Sequence, residues 1–381
     1  MPALKPLALA VLATLTLHAH AENNTVDLNQ DGENNTSTIE QSGTSNNFTQ
    51  TQTGQNGYGF IEQSGTENSG TVYQEGVGNR TQFIQEGGSL NVGQIYQSGN
   101  ENTAYITQSD YEHRGMGFRG KADQDTAIIE QNGTANNAGI NQTLSSYSNA
   151  SIRQNGDNND ANSEHYSSNY GTQTTVQEGS GNRSDIFQSF SEYPIASVYQ
   201  YGDNNDARVS QLIDNSVALA TQEGNGNSIR LTQNSIFGEP SANNATARVD
   251  QSGDLNKVDI TQGGTYNEVN VSQTGNSNVV GVAGETSYDV AQTGNRNFLS
   301  SVQDGTGNEL YFNQNGDDNE LYVSQSGDAN TITATQTGVG YSAILSQNGS
   351  ANSMNVTQSS QGDIATISQS GTGNTATLTQ R

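Results

Sequence analysis

Cysteine and tryptophan are absent from the 381-residue chain, proline occurs 4 times, and only 13 basic residues stand against 39 acidic ones. Without cysteine there is neither a disulfide framework nor a thiolate metal site, so stability has to come from packing and hydrogen bonds. A net charge of −26 with the cations scattered singly argues against nucleic acid as a partner, because phosphate contacts need clustered Lys and Arg. The nearest thing to a basic cluster, Arg114, Arg119 and Lys121 with His113, falls in one irregular stretch and reads as a solvated loop. The same charge disfavours anionic membrane surfaces. Strong apolar residues are also scarce: Leu, Ile, Val and Phe total 67 of 381 residues. That is under the ~20% at which a highly charged chain is expected to be disordered. Composition alone describes an unfolded chain, and only the order of the residues can overturn it.

The first residues have their own logic. Lys5 precedes an apolar run from Leu7 to Leu17, and Ala19 and Ala21 follow in the A-x-A arrangement. Residues 1–21 therefore read as a secretory signal peptide cut after Ala21. The run falls short of the ~18 apolar residues that span a bilayer, so no membrane insertion is expected.

What the chain has in excess is one phrase. Q-x-G-x-x-N occurs 19 times from residue 22 onward, first at Gln30 and last at Gln369. Chance would supply about one match, so the chain is an array of internal repeats. The underlying spacing is 11 residues, kept without a slip through Gln292, Gln303, Gln314, Gln325, Gln336, Gln347, Gln358, Gln369 and Gln380.

Between the Asn of one phrase and the Gln of the next, residues alternate as a strand with one buried face requires. In Asn319-Glu-Leu-Tyr-Val-Ser-Gln325, the residues Asn319, Leu321, Val323 and Gln325 point one way and Glu320, Tyr322 and Ser324 the other. The same reading places Leu310, Phe312, Ile332, Ala334, Ala343, Leu345, Met354, Val356, Ala365, Ile367, Ala376 and Leu378 inside. The x-G-x-x between strands is turn chemistry, since Gly accepts φ > 0 and Ser, Asp, Asn and Thr bond their own backbone.

A period of 11 excludes a helix bundle, whose apolar period is 3.6. It predicts an all-β fold: a cross-β solenoid of about 16 strand-turn-strand coils, 22 residues each, forming two facing parallel sheets. Buried amides then stand above their equivalents and bond along the stack. The candidate amyloid ladder is Gln292, Asn297, Gln303, Asn308, Gln314, Asn319, Gln325, Asn330, Gln336, Gln347, Asn352, Gln369, Asn374 and Gln380. The turn glycines are Gly294, Gly305, Gly316, Gly327, Gly338, Gly349 and Gly371. Two apolar groups per strand cannot offset the ordering of a lone coil, so coils need neighbours. The repeat begins at Gln30 and its glutamine register runs to Gln380 with no unlike capping segment, which predicts end-to-end addition of further copies as a filament. Outward negative charge would slow lateral clumping.

The phrase N-x-a-x-a-x-Q-x-G-x-x-N, as in Asn330 to Gln336 and Asn374-Thr-Ala-Thr-Leu-Thr-Gln380, resembles the curlin repeat of curli subunits. One departure is that curlins commonly begin alternate strands with Ser where this chain mostly has Asn. The resemblance implies a subunit, of the major type, of extracellular amyloid fibres at the bacterial surface, with roles in biofilm matrix, adhesion and aggregation. It also implies partners: copies of itself, a nucleator subunit, an outer-membrane secretion pore and a periplasmic chaperone. The alternative is a monomeric secreted β-solenoid serving as an adhesin or binding module.

The register divides the chain into the signal segment 1–21, repeats over 22–108, less regular repeats with loop insertions over 109–250, and regular repeats over 251–381. Gln108 to Gln131 and Gln154 to Gln177 are each 23 apart, which predicts a full coil plus a bulge. Gln233 to Gln251 is 18 and Gln273 to Gln292 is 19, which predicts enlarged turns, with Ser235-Ile-Phe-Gly-Glu-Pro-Ser241 projecting. Catalysis is not expected. Adjacent carboxylates such as Asp317 and Asp318 do not flank a substrate bond, and His113 and His165 are placed in irregular segments, away from any triad. No cofactor is expected either: Asp-rich turns such as Gly156-Asp-Asn-Asn-Asp160 lack the nonapeptide of calcium-loaded β-rolls and read as solvated turns. The outward threonines Thr331, Thr333, Thr335, Thr375, Thr377 and Thr379 read as ordinary exposed strand residues.

Overall fold

The computed structural model describes residues 13–17, 22–110, 122–234, 244–282, 291–359 and 362–381. Every regular element among them is a strand, and every strand pairing within a unit is parallel. The chain divides into two compact units, Met1–Ser167 and Ser168–Arg381. Each is a two-sheet β-solenoid in which successive strands alternate between the sheets.

In the first unit the first sheet runs Thr25–Glu33, Asn47–Gln55, Ser69–Val77, Val92–Asn100, Thr126–Thr134 and Asn149–Asp157. Its second sheet runs Thr36–Gln41, Tyr58–Gln63, Arg80–Glu86, Thr103–Ser109, Asn137–Thr143 and Asp160–Tyr166. In the second unit the first sheet begins at Thr172–Glu178 and ends at Ile364–Thr372, and the second begins at Arg183–Ser189 and ends at Thr375–Gln380. The "first corner" leads from a first-sheet strand to the following second-sheet strand, and the "second corner" leads back.

Six coils and nine coils result, one fewer than the expected 16 or so, because some residues lie outside the ladders. Paired glutamines are normally 22 or 23 apart, but Gln108 pairs with Gln142, Gln222 with Gln251 and Gln273 with Gln303. The first of these corrects the sequence reading. Strand Thr103–Ser109 is followed directly by Thr126–Thr134, so the 23-residue step from Gln108 is one corner with an insertion, not a coil plus a bulge. The third corrects another: residues 283–290 fall between Val279–Val282 and Gln292–Asn295, which pair with the two halves of the same neighbour, Glu309–Asp317. The extra residues interrupt a strand and do not enlarge a turn. The step from Gln233 to Gln251 does fall in a corner, but segment 235–241 lies outside the described residues, as do His113 and the Arg114–Lys121 stretch. Of the expected signal segment, only Ala13–Leu17 is described; it pairs in parallel with Thr36–Gln41.

Alternation places the core as expected. Leu321, Val323, Leu310, Phe312, Ile332, Ala334, Ala343, Leu345, Met354, Val356 and Ala365 are buried. Ile367, Ala376 and Leu378, in the outermost described coil, are only partly buried because one side of each lacks a stacked neighbour. In the first unit Phe48 and Phe83 meet edge to face at 5.2 Å. The rings fit because inward Gly70 and Gly93 leave space where any Cβ would strike them.

Candidate functional site

The candidate site is the pair of amide columns and the corners they hold. Each glutamine points inward from its strand, and its side-chain amide bonds along the stack. Gln292 Nε2 donates to Gln314 Oε1 at 2.8 Å, Gln314 to Gln336 at 2.9 Å, Gln336 to Gln358 at 2.9 Å and Gln358 to Gln380 at 2.9 Å. On the other sheet Gln303 donates to Gln325 at 2.8 Å, Gln325 to Gln347 at 3.0 Å and Gln347 to Gln369 at 2.8 Å. The second N–H crosses the core: Gln314 Nε2 reaches Phe298 O at 2.9 Å and Gln325 Nε2 reaches Glu309 O at 3.0 Å. One side chain thus ties a strand both to the next coil and to the opposite sheet, and both amide donors are used.

Asparagine does different work. Asn297, Asn308, Asn319, Asn330 and Asn352 each accept at Oδ1 the backbone N–H of the residue one coil on, Asn319, Asn330, Tyr341, Asn352 and Asn374, at 3.0–3.2 Å. Their Nδ2 groups donate to the turn-glycine carbonyl of that next coil: Asn297 to Gly316 at 2.7 Å, Asn308 to Gly327 at 2.7 Å, Asn319 to Gly338 at 3.1 Å, Asn330 to Gly349 at 2.8 Å and Asn352 to Gly371 at 2.9 Å. The asparagine of the phrase therefore fastens the glycine of the phrase one coil later. That is why the two residue types recur together.

The glycines are required twice over. Gly294, Gly305, Gly316, Gly327 and Gly349 lie at φ between 102° and 129°, where an L side chain is strained. A Cβ on any of them would be driven into the carbonyl oxygen of the next coil's glycine. Gly338 faces the Tyr341 hydroxyl instead, and Gly371, in the outermost coil, has only Asn374 Nδ2 near it. Aspartates of the turns use a carboxylate oxygen within the stack: Asp157 accepts the Thr134 N–H, Asp203 that of Ser180 and Asp317 that of Asn295, each at 2.8 Å. Among the described residues no three Asp, Glu, His or Cys side chains are gathered as metal ligands.

Among the column residues that escaped the sequence phrase are His165, Tyr341 and Asp125. His165, placed in an irregular segment by its sequence, lies in strand Asp160–Tyr166, wholly buried and paired in register with Gln142. Its distance of 11 from Gln154 was the available signal. Tyr341 takes an asparagine position; its N–H bonds Asn319 Oδ1 at 3.2 Å and its hydroxyl donates to Thr337 O at 2.9 Å. Burial, with Asp363 nearby, pushes its hydroxyl pKa up, so it stays a donor. Asp125 occupies the asparagine column of the first unit. Its N–H bonds Asn91 Oδ1 at 3.0 Å, and its carboxylate accepts from Ser148 N at 2.9 Å and Ser145 Oγ at 2.9 Å. Burial raises its pKa from 3.8 to about 7 against those two hydrogen bonds, with Asp123 and Asp110 adding to the rise.

The curlin associated repeat matches the chain at residues 21–54, 242–275, 289–327 and 327–359. No curated protein matches the chain significantly. Between the matched segments the same glutamine pairs continue, for example Gln74 to Gln97 at 2.9 Å and Gln200 to Gln222 at 2.9 Å, so the repeat architecture reaches further than the matches. The chain carries curlin associated repeats at these four places, set in a solenoid whose unmatched coils keep the same columns.

Proposed function

We propose that the chain is a structural subunit, of the major type, of extracellular curli-type amyloid fibres that coat the bacterial surface and serve biofilm matrix, adhesion and aggregation. The observation that carries this reading is that the coils are interchangeable. The Gln–Gln, Asn–Asn and Asn–Gly bonds repeat from coil to coil with the same partners, so a coil of a second copy meets an outer coil as it would meet a neighbour in its own chain. In this reading the proposed amyloid ladder from Gln292 to Gln380 and the glycines from Gly294 to Gly371 form the template. Growth continues end to end on the partly buried coil of Ile364–Thr372 and Thr375–Gln380. Nothing in the columns is arranged for bond-making chemistry, which favours a structural role over an enzymatic one.

Copies of the same chain are the primary partner. A nucleator subunit, an outer-membrane secretion pore and a periplasmic chaperone follow from the family alone. Replacing Gln369, Asn374 and Gln380 by Ala tests the reading. Seeded growth, followed by thioflavin fluorescence, should slow at least several-fold more than for the same number of alanines in residues 109–250. Equal lag times would count against growth at this end.

A further inference from the structure

Four of the 13 basic residues of a chain with net charge −26 lie together on the outward face of four consecutive second-sheet strands. They are Arg183 in Arg183–Ser189, Arg208 in Asp206–Gln211, Arg230 in Ser228–Asn234 and Lys257 in Lys257–Thr265. Parallel pairing sets Arg208 directly beside Arg230. Asp185 stands in register beside Arg208 and Asp259 beside Arg230, but among the described residues neither forms an ion pair with them, so the repulsion between the two guanidinium groups favours a further anion. Arg183 and Arg208 have partners, Asp185 at 2.7 Å and Asp206 at 3.3 Å. Arg230 and Lys257 make no ion pair among the described residues, and with Arg208, Ser228 and the carboxylates Asp206 and Asp259 they line a depression of about 220 Å³.

The first corner of the same coils is the electrical opposite. Glu178, Asp203, Glu223 and Asp254 follow one another there, one carboxylate per coil, and residues 177–182, 200–205, 222–227 and 251–256 contain no Lys or Arg. Asp203 and Asp254 are held in place by accepting the Ser180 and Asn225 N–H groups at 2.8 Å. Cations and carboxylates thus share one repeat, the ~4.8 Å strand spacing, on different sides of the same coils.

We propose that the cationic face over Arg183, Arg208, Arg230 and Lys257 receives the acidic first corner of a second copy laid alongside. Each copy carries both surfaces, so the contact is head-to-tail in the lateral direction and propagates into bundles. This goes beyond end-to-end growth but takes assembled copies as its starting point. The test therefore measures elongation and bundling on the same samples.

The probe is an Arg208→Glu/Arg230→Glu/Lys257→Glu variant, with Arg208→Gln/Arg230→Gln as the milder one. Seeded elongation is followed by thioflavin fluorescence and bundle width by electron microscopy. Wild-type filaments should bundle at ~0.02 M salt and separate by ~1 M, as screened charges do. The triple variant should elongate within about two-fold of wild type yet remain as single filaments, and mixing it with Glu178→Lys/Glu223→Lys copies should restore bundling. Variant bundles as wide as wild type, or wild-type bundles that thicken with salt, would overturn the docking. If wild type fails to elongate, the fibre reading falls. Docking is then read from sedimentation of the folded chain at the two salt concentrations, where salt-independent monomers would overturn it.

Discussion

The two corners of the coil are built under different rules. In the first corner each of the 15 first-sheet glutamines, Gln30 to Gln369, is followed two residues later by glycine, Gly32 to Gly371. Asparagine follows three residues after that in all but the first coil's neighbour, where Gly57 stands. In the second corner the glycine position keeps Gly43, Gly65, Gly87, Gly264, Gly294, Gly316 and Gly338, but between Gly87 and Gly264 it holds Asp110, Leu144, Ser167, Phe190 and Ile213 in successive coils, where the asparagine position holds Asp125, Ser148, Gly171, Pro194 and Ser216. The insertions fall in the second corner or inside a second-sheet strand, and the first sheet and its corner carry none. Where carbonyls stack on glycines without room for a Cβ, one exception disturbs the coils on both sides. Where the glycine column has been given up, neighbours settle on other contacts, as in the Tyr170–Tyr193 stack with ring centroids at 4.7 Å and the Ser168–Ser191 hydroxyl pair at 3.1 Å. One corner thus keeps the register glycine in every coil, whereas the other keeps it in some coils and absorbs variation in the rest.

The comparison can be broken most sharply at Gly327. Its φ of 104° and the Gly349 carbonyl above it leave no place for a methyl group, so Gly327→Ala should destabilise the second unit by more than ~3 kcal/mol. Ser216→Ala in the second corner removes one hydroxyl bond to Ile213 O at 3.0 Å and should cost about 1 kcal/mol. Urea midpoints of the two variants decide. An eight-residue Gly/Ser segment placed after Asn215 should be nearly neutral, because loop closure grows slowly with length. The same segment after Gly226 should abolish the cooperative transition.

Asp125 sharpens the comparison through pH. Its carboxyl is pushed up from 3.8 to about 7 in the folded state, so its contribution is fully present below pH 3.8 and is lost as pH rises through 7. The loss is on the order of 4 kcal/mol. The first unit should therefore be more resistant to urea at pH 5 than at pH 8. Asp125→Asn, which restores the amide of the other coils, should flatten that dependence and raise stability at pH 8. The smallest effect concerns the position four after a first-sheet glutamine, left-handed whatever its residue, as at Ala329 and Ala351 with φ of 53° and 54°. Ala351→Gly should stabilise by roughly 0.5–1 kcal/mol, relieving left-handed strain, and should shift the midpoint slightly upward.

Strand alternation and the glutamine column were legible because both are periodic: Leu321, Val323 and Gln325 point inward as a period of two demands. What was not legible depended on which neighbour a residue meets. His165 keeps the register while changing the letter, so a phrase search passes over it. The 23-residue steps after Gln108 and Gln154 look alike in sequence, yet the first is a corner with an insertion and the second passes through the His165 strand. Spacing cannot tell a corner from a split strand either, and only the pairing of Val279–Val282 and Gln292–Asn295 with Glu309–Asp317 places residues 283–290. The separate duty of asparagine was hidden because its partner glycine belongs to the next coil, about 19 residues away.

Diffraction from aligned samples of the purified chain from residue 22 onward, left to assemble at neutral pH, tests the central claim that interchangeable coils add end to end. The account predicts a sharp meridional reflection at ~4.7–4.8 Å and a diffuse equatorial one near ~10 Å. A chain that stays monomeric in sedimentation and yields no such meridional reflection would contradict it.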